Sequence, residues 1–153
     1  MLFRSCNAAM PKMAPYEGVL EGQLNMLAMI LVYGCTFVAR TFSSQATEMS
    51  KLIGQGLDHR GVSFIQAMSP CPTFYNTYDP WKESFVSLPE DWNDSDRIKA
   101  IDLAMEEVND GVFHSGLFYQ EQRATYMDKV RSVFSKARGD QVATIESMLD
   151  QYA

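Results

Sequence analysis

The sequence predicts an α/β fold with a small, mainly parallel sheet flanked by helices, and three observations carry that expectation. Short β-prone runs alternate with segments of helical spacing along most of the chain. The helical segments are bounded by capping residues and glycines where helices usually begin and end. With 153 residues, 46% of them hydrophobic and 21% charged, the chain is long enough to bury one core and too apolar to stay disordered.

Residues 1–22 carry Pro11, Pro15, Gly18 and Gly22 without periodicity and read as an irregular N-terminal arm. Leu24, Leu27, Ala28, Ile30 and Leu31 fall at helical spacing, and Gly34 stops that run. Residues 36–39 form a first β-prone run. A second helix, capped by Ser43 or Ser44, runs through Leu57 with Met49, Leu52, Ile53 and Leu57 on one stripe. His59 and Arg60 then sit at its negative dipole end, with Gly61 as a left-handed cap. Residues 62–68 are the clearest strand, ended by Ser69-Pro70-Cys71-Pro72.

Residues 75–92 are aromatic and without a period, so they read as a long surface loop. Asp94 or Ser95 caps a helix across Ile98, Ile101, Leu103, Met105 and Val108, and residues 116–119 form a third short strand. From Tyr126 onward the pattern is one amphipathic helix, or two divided at Gly139. The domain reading is an arm over 1–22, an α/β body over 23–127 and a helical tail over 128–153. Three strands are few for a parallel sheet and would leave an exposed edge.

A net charge of -6 and a pI near 4.8 argue against a nucleic-acid partner. The longest apolar stretch, residues 24–39, is interrupted by Asn25, Gly34 and Thr36 and is too short to span a membrane. Cys6, Cys35 and Cys71 are odd in number and lack paired spacing, which suits reduced thiols in a cytoplasm.

No self-sufficient catalytic motif is present, so no catalytic residue is assigned. Dinucleotide and phosphate loops, a nucleophile elbow and a zinc-helix pattern are all missing from the sequence. His59 has the chemistry of a general base, but its place at a helix end favours a structural role, and His114 reads as a loop or edge residue. The carboxylates between Asp79 and Asp110 form no liganding spacing and read as a solvated acidic face. The rings of Phe74, Tyr75, Tyr78, Trp81, Phe85 and Trp92 must cover either their own domain or a partner. Cys71 stands at the carboxyl end of the best strand, where ligands gather in parallel sheets, although a lone cysteine is more often a small core residue.

Several motifs then add up. Thr36-Phe37-Val38-Ala39-Arg40, His59-Arg60-Gly61-Val62-Ser63-Phe64-Ile65 and Ser69-Pro70-Cys71-Pro72-Thr73-Phe74 occur in that order. Together they resemble the β subunit of 2-oxoacid:ferredoxin oxidoreductases. Gly116-Leu117-Phe118-Tyr119-Gln120, with Arg123, Thr125 and Tyr126, looks like the closing strand of that family and the segment after it, Ala124 replacing the usual proline. Trp81-Lys82 within residues 78–92 looks like the 2-oxoglutarate-using branch. The resemblance covers residues 14–127.

The resemblance implies part of a thiamine-diphosphate-binding fold, from the C-terminal half of that subunit. The whole enzyme would decarboxylate a 2-oxoacid on thiamine diphosphate with Mg²⁺ and pass electrons through a [4Fe-4S] cluster to ferredoxin. Coenzyme A would take the acyl group, and an α subunit would complete the assembly. Among the cluster cysteines of the family, the one in Ser-Pro-Cys carries over, which makes Cys71 the cofactor and metal ligand. The Cys-x-x-Cys motif, the third cluster cysteine and the Gly-Asp-Gly-Asp motif are expected before residue 1, and none is in this chain. The expectation is a subunit part that is inactive alone. The alternatives are a noncatalytic module docking an α subunit, or a degraded reading frame.

Overall fold

The computed structural model describes residues 24–70 and 78–150. The element order is α1 (Met26–Val32), β1 (Phe37–Phe42), α2 (Ala46–Asp58), β2 (Ser63–Met68), α3 (Tyr78–Ser84), β3 (Phe85–Ser87), α4 (Arg97–Asp110), β4 (Phe113–Gln120) and α5 (Tyr126–Asp150). The four strands form one sheet in the order β2-β1-β4-β3. β1 with β2 and β3 with β4 are parallel, while β1 with β4 is antiparallel. The expected α/β class and mainly parallel sheet are therefore present, with four strands in place of three.

Strand β1 is buried along its whole length because it lies between two strands and two helical layers. Alternation along the strand divides its side chains. Phe37 and Ala39 pack with Leu52 of α2, joined by Ile65 and Leu117. Val38 faces the other way, into a cluster with Leu27 and Leu31 of α1, Ala100 and Ala104 of α4, and Phe118. Asn25 starts α1 by accepting from the Ala28 amide at 3.0 Å, and its own amide reaches Ala104 O at 2.7 Å, tying α1 to α4. Gly34 ends α1's turn at φ 85, as the sequence suggests.

Other boundaries moved. The N-cap of α2 is Gln45, not Ser43 or Ser44, and it makes no side-chain cap bond. The Ser43 amide instead donates to Met68 O at 2.9 Å, joining the ends of β1 and β2. Asp96, not Asp94 or Ser95, caps α4 through the Lys99 amide at 3.0 Å, and Gly111 closes it at φ 73. Gly61 is not a left-handed cap, because the chain leaves α2 in extended backbone at His59. Glycine is required at 61 for room: a Cβ there would run into the Thr36 hydroxyl and the His59 ring.

The supposed loop of residues 75–92 holds α3 and β3. Pro80 sits in the first turn of α3, where a missing N–H costs nothing, and β3 is only three residues long. Trp81 and Phe85 cover their own domain. Phe85 stacks on Phe42 at 4.8 Å between centroids, and Trp81 meets the same ring edge-on at 6.5 Å. Trp92 donates its Nε1–H to Phe118 O at 3.0 Å. Phe74 and Tyr75 lie outside the described residues, as does the arm over 1–22.

The described chain divides into two compact units, one ending at Glu121 and one starting at Gln122. In the second unit α5 is a single helix through Gly139, the first of the two alternatives that the sequence leaves open. Thr125 and Asp128 form its capping box: each backbone amide donates to the other's side chain, at 3.0 and 3.2 Å.

Candidate functional site at the carboxyl edge of the parallel pair

Parallel pairing in register, from Phe37↔Ser63 to Phe42↔Met68, brings the carboxyl ends of β1 and β2 to one edge. Phe42 is 1% exposed and Met68 9%, and with Trp81 they form a small apolar cluster roofed by α3. Ser69 and Pro70 leave the sheet from this edge. Cys71 itself, with residues 72–77, lies outside the described residues, so the fold carries its approach and no contact of its own.

Two register positions back from the edge is a buried ionic network. Arg40, 5% exposed, pairs with Glu107 of α4, 2% exposed, through Nη1 and Oε2. The Arg40 Nε donates to Gln66 Oε1 of β2 at 3.0 Å. The guanidinium also lies over Phe118 and Phe113, at 5.3 and 5.7 Å from the ring centres. The other oxygen of Glu107 accepts the His114 amide at 2.6 Å and lies 3.0 Å from His114 Nδ1. One carboxylate thus joins α4 to β1 and β4, and Arg40 adds β2. Such a pair sets geometry more than it adds stability, but removing one partner leaves a buried charge alone.

This network corrects two expectations. Glu107 does not belong to a solvated acidic face, and His114 is not a loop residue: it lies inside β4, paired with Glu107. The signal for Glu107 was in the sequence, since Ala100, Ala104 and Glu107 share one face of α4 at spacings of four and three. The signal for Arg40 was its place inside an otherwise uncharged strand.

His59 and Cys35 belong to the opposite edge. His59 Nε2 is 2.9 Å from Thr36 Oγ1, and its ring lies 5.5 Å from that of Phe37. The Thr36 hydroxyl also accepts the Val62 amide and donates to Val62 O, both at 3.2 Å. The Cys35 thiol is buried and points to Phe37 O and Val62 O at 3.3 and 3.1 Å. These groups lock the amino ends of β1 and β2, about 17 Å along the strand from Phe42.

A cleft of about 390 Å³ lies between α2 and the β3–β4 side, lined by Lys51, Gln55, Leu88, Trp92 and Ser115 among others. Neither His59 nor the approach to Cys71 lines it. Among the described residues no three His, Cys, Asp or Glu side chains gather as a metal site, and no helix is long and apolar enough to cross a membrane.

Comparison with known proteins points one way. The family model for the C-terminal part of the pyruvate ferredoxin oxidoreductase beta subunit matches residues 71–134 and begins on Cys71. The chain is 30% identical over 129 residues to the 2-oxoglutarate synthase subunit KorB of Methanothermobacter marburgensis, covering 82% of this chain and 44% of that protein. It is 26% identical to the 2-oxoacid:ferredoxin oxidoreductase subunit beta of Saccharolobus solfataricus, covering 72% and 40%. The structure of a 2-oxoglutarate:ferredoxin oxidoreductase from Magnetococcus marinus, with 2-oxoglutarate, coenzyme A and succinyl-CoA bound, superposes with a TM-score of 0.75 at 29% identity. That match covers 82% of this chain and 43% of that one. The chain thus spans less than half the length of these relatives. It belongs to the β-subunit family of 2-oxoacid:ferredoxin oxidoreductases, and its residues 71–134 match the part that the C-terminal family model describes.

Proposed function

We propose that this chain works as part of the β subunit of an enzyme that oxidatively decarboxylates a 2-oxoacid, 2-oxoglutarate by its relatives, to the acyl-CoA. Ferredoxin takes the electrons, and the chain is active only beside an α subunit and the rest of the β-subunit fold. The observation that carries this reading is joint: kinship to KorB over most of the chain, and the same fold in a 2-oxoglutarate:ferredoxin oxidoreductase. The outer side of β2, the end strand of the sheet among the described residues, with Ile53, Leu57 and Val62 exposed on and next to α2 and β2, offers surface for the rest of that fold.

The described residues do not fit thiamine diphosphate, Mg²⁺ or a [4Fe-4S] cluster by themselves. They gather no carboxylate set for the metal, and the Cys35 thiol is already committed to two carbonyls. Cys71 is the cluster ligand this chain would add, one among thiolates supplied from elsewhere. The task of the described residues is positional. The Arg40–Glu107 network fixes β1, β2, β4 and α4 together, and β2 delivers Ser69-Pro70 to the carboxyl edge.

Co-expression with an α subunit and an N-terminal β-subunit half from a relative tests the reading. The complex should reduce ferredoxin when given 2-oxoglutarate and coenzyme A, and the chain alone should neither do so nor bind thiamine diphosphate in calorimetry with Mg²⁺. Micromolar thiamine diphosphate binding by the isolated chain would overturn it, as would an assembled complex inert toward every 2-oxoacid.

A further inference from the structure

We propose that His114 is a general base of the enzyme, taking the proton that the thiol of coenzyme A gives up as the thioester forms. This step rests on the enzymatic reading above and adds chemistry to the positional task of the network. In the net reaction the carboxylate of the 2-oxoacid leaves as carbon dioxide and ferredoxin takes both electrons. The proton shed is therefore that of the thiol: its S–H bond breaks, an Nε2–H bond forms, and thiolate and imidazolium result. Ordinary thiols are mostly protonated near neutral pH, and histidine is the side chain that takes and gives a proton there.

The fold prepares that role. β4 runs antiparallel to β1, so its amino end lies at the carboxyl edge of β1 and β2. Arg40 pairs with Gly116, and two positions further on bring His114 level with Phe42, the last residue of β1. Ligands of parallel strands gather at this edge. Glu107 Oε2 is held by Arg40, while Oε1 takes the His114 amide at 2.6 Å and lies 3.0 Å from Nδ1. A carboxylate only accepts, so the proton between them belongs to Nδ1, and the neutral ring keeps its lone pair on Nε2. A buried carboxylate that fixes a histidine in this way orients the base and steadies the imidazolium it becomes. Nε2 meets no hydrogen-bond partner among the described residues. Glu107 of α4 is the charged group against the ring, Arg40 of β1 stands behind it, and β3 sets Val86 alongside. The other histidine of the chain has no such freedom, since His59 Nε2 engages Thr36 Oγ1 at the opposite edge.

The co-expressed complex tests this, with kcat/KM for coenzyme A read from ferredoxin reduction across pH. His114→Asn keeps an N–H for Glu107 and removes the base, and iron content and sedimentation check that the variant assembles. At pH 7 it should lose about a hundredfold in kcat/KM for coenzyme A, with kcat/KM for 2-oxoglutarate unchanged. The loss should shrink as the pH passes about 8.5, where an ordinary thiol ionises unaided. The wild-type value should itself fall toward acid pH, as the imidazole takes its proton from solvent instead. An undiminished His114→Asn overturns the proposal, and so does a deficit equal at every pH, which marks a structural lesion. A wild-type profile without the acid limb overturns it even where the variant fails to assemble. A wild-type complex inert toward every 2-oxoacid sinks the enzymatic reading itself, and this step with it.

Discussion

At the amino edge of the β1–β2 pair, one threonine hydroxyl meets the amide and carbonyl of Val62 and the ring of His59, while the Cys35 thiol meets the same Val62 carbonyl and that of Phe37. At the carboxyl edge the same two strands end in Phe42 and Met68, covered by rings from α3, and the chain runs on toward Cys71. Of the cysteines near these two edges, Cys35 is committed to the fold. A histidine and a thiol whose every bond serves a turn are part of the scaffold. The contrast removes Cys35 from the reactive candidates of the sequence by what its surroundings leave it free to do.

The contrast can be broken most directly through iron. In the assembled complex, Cys71→Ser should abolish or strongly deplete the [4Fe-4S] signal in electron paramagnetic resonance, while Cys35→Ser leaves iron content unchanged. An equal loss from both variants would erase the distinction between the edges. Between them, the ionic network should show the largest stability effect. Glu107→Ala strands the Arg40 guanidinium in the core and should cost about 3–5 kcal/mol in urea unfolding. A cost under about 1 kcal/mol would mean that Arg40 finds water. At the carboxyl edge Phe42→Ala removes the ring on which Trp81 and Phe85 pack, for roughly 3–4 kcal/mol. It should also speed hydrogen exchange at the Ser43 amide. The smallest effect is Thr36→Val at the amino edge, where the Val62 amide and His59 lose one partner, about 1–2 kcal/mol. That variant should leave the cluster signal of the complex untouched, and a loss there would couple the two edges.

Much of the fold was legible because its periodicities are long. β1 and β2, the helices packed on them and the α/β class follow from alternation and from Gly34, and Phe37 and Phe118, inside the β-prone runs 36–39 and 116–119, are core. What escaped is short or cooperative. β3 has three residues and is a strand only because Phe113–Ser115 lies beside it, which no local pattern announces. α3 was hidden because residues 75–92 show no period, and a proline fits its first turn. Capping shifted by one or two residues because several polar candidates stand in a row and tertiary contacts choose among them. At the site, Cys71 was readable from Ser-Pro-Cys-Pro and the strand before it. Arg40 and Glu107 each left a local hint, a charge inside an uncharged strand and one on the buried face of α4, but their pairing with each other, Gln66 and His114 did not, since sixty-seven positions of sequence separate the two charges.

The antiparallel pairing of β1 with β4 also dictates when this fold can form. Phe37 takes Gln120 as its partner, so the central strand made first waits for the last strand of the sheet. During synthesis, β1 and β2 can meet early through α2, but the other side of β1 stays an open ladder until residue 120 is free of the ribosome. Long-range closure of this kind slows folding and exposes an aggregation-prone edge in the meantime. A nascent chain stalled just after α4 should therefore be held by chaperones or digested by protease. One released beyond β4 and α5 should be resistant.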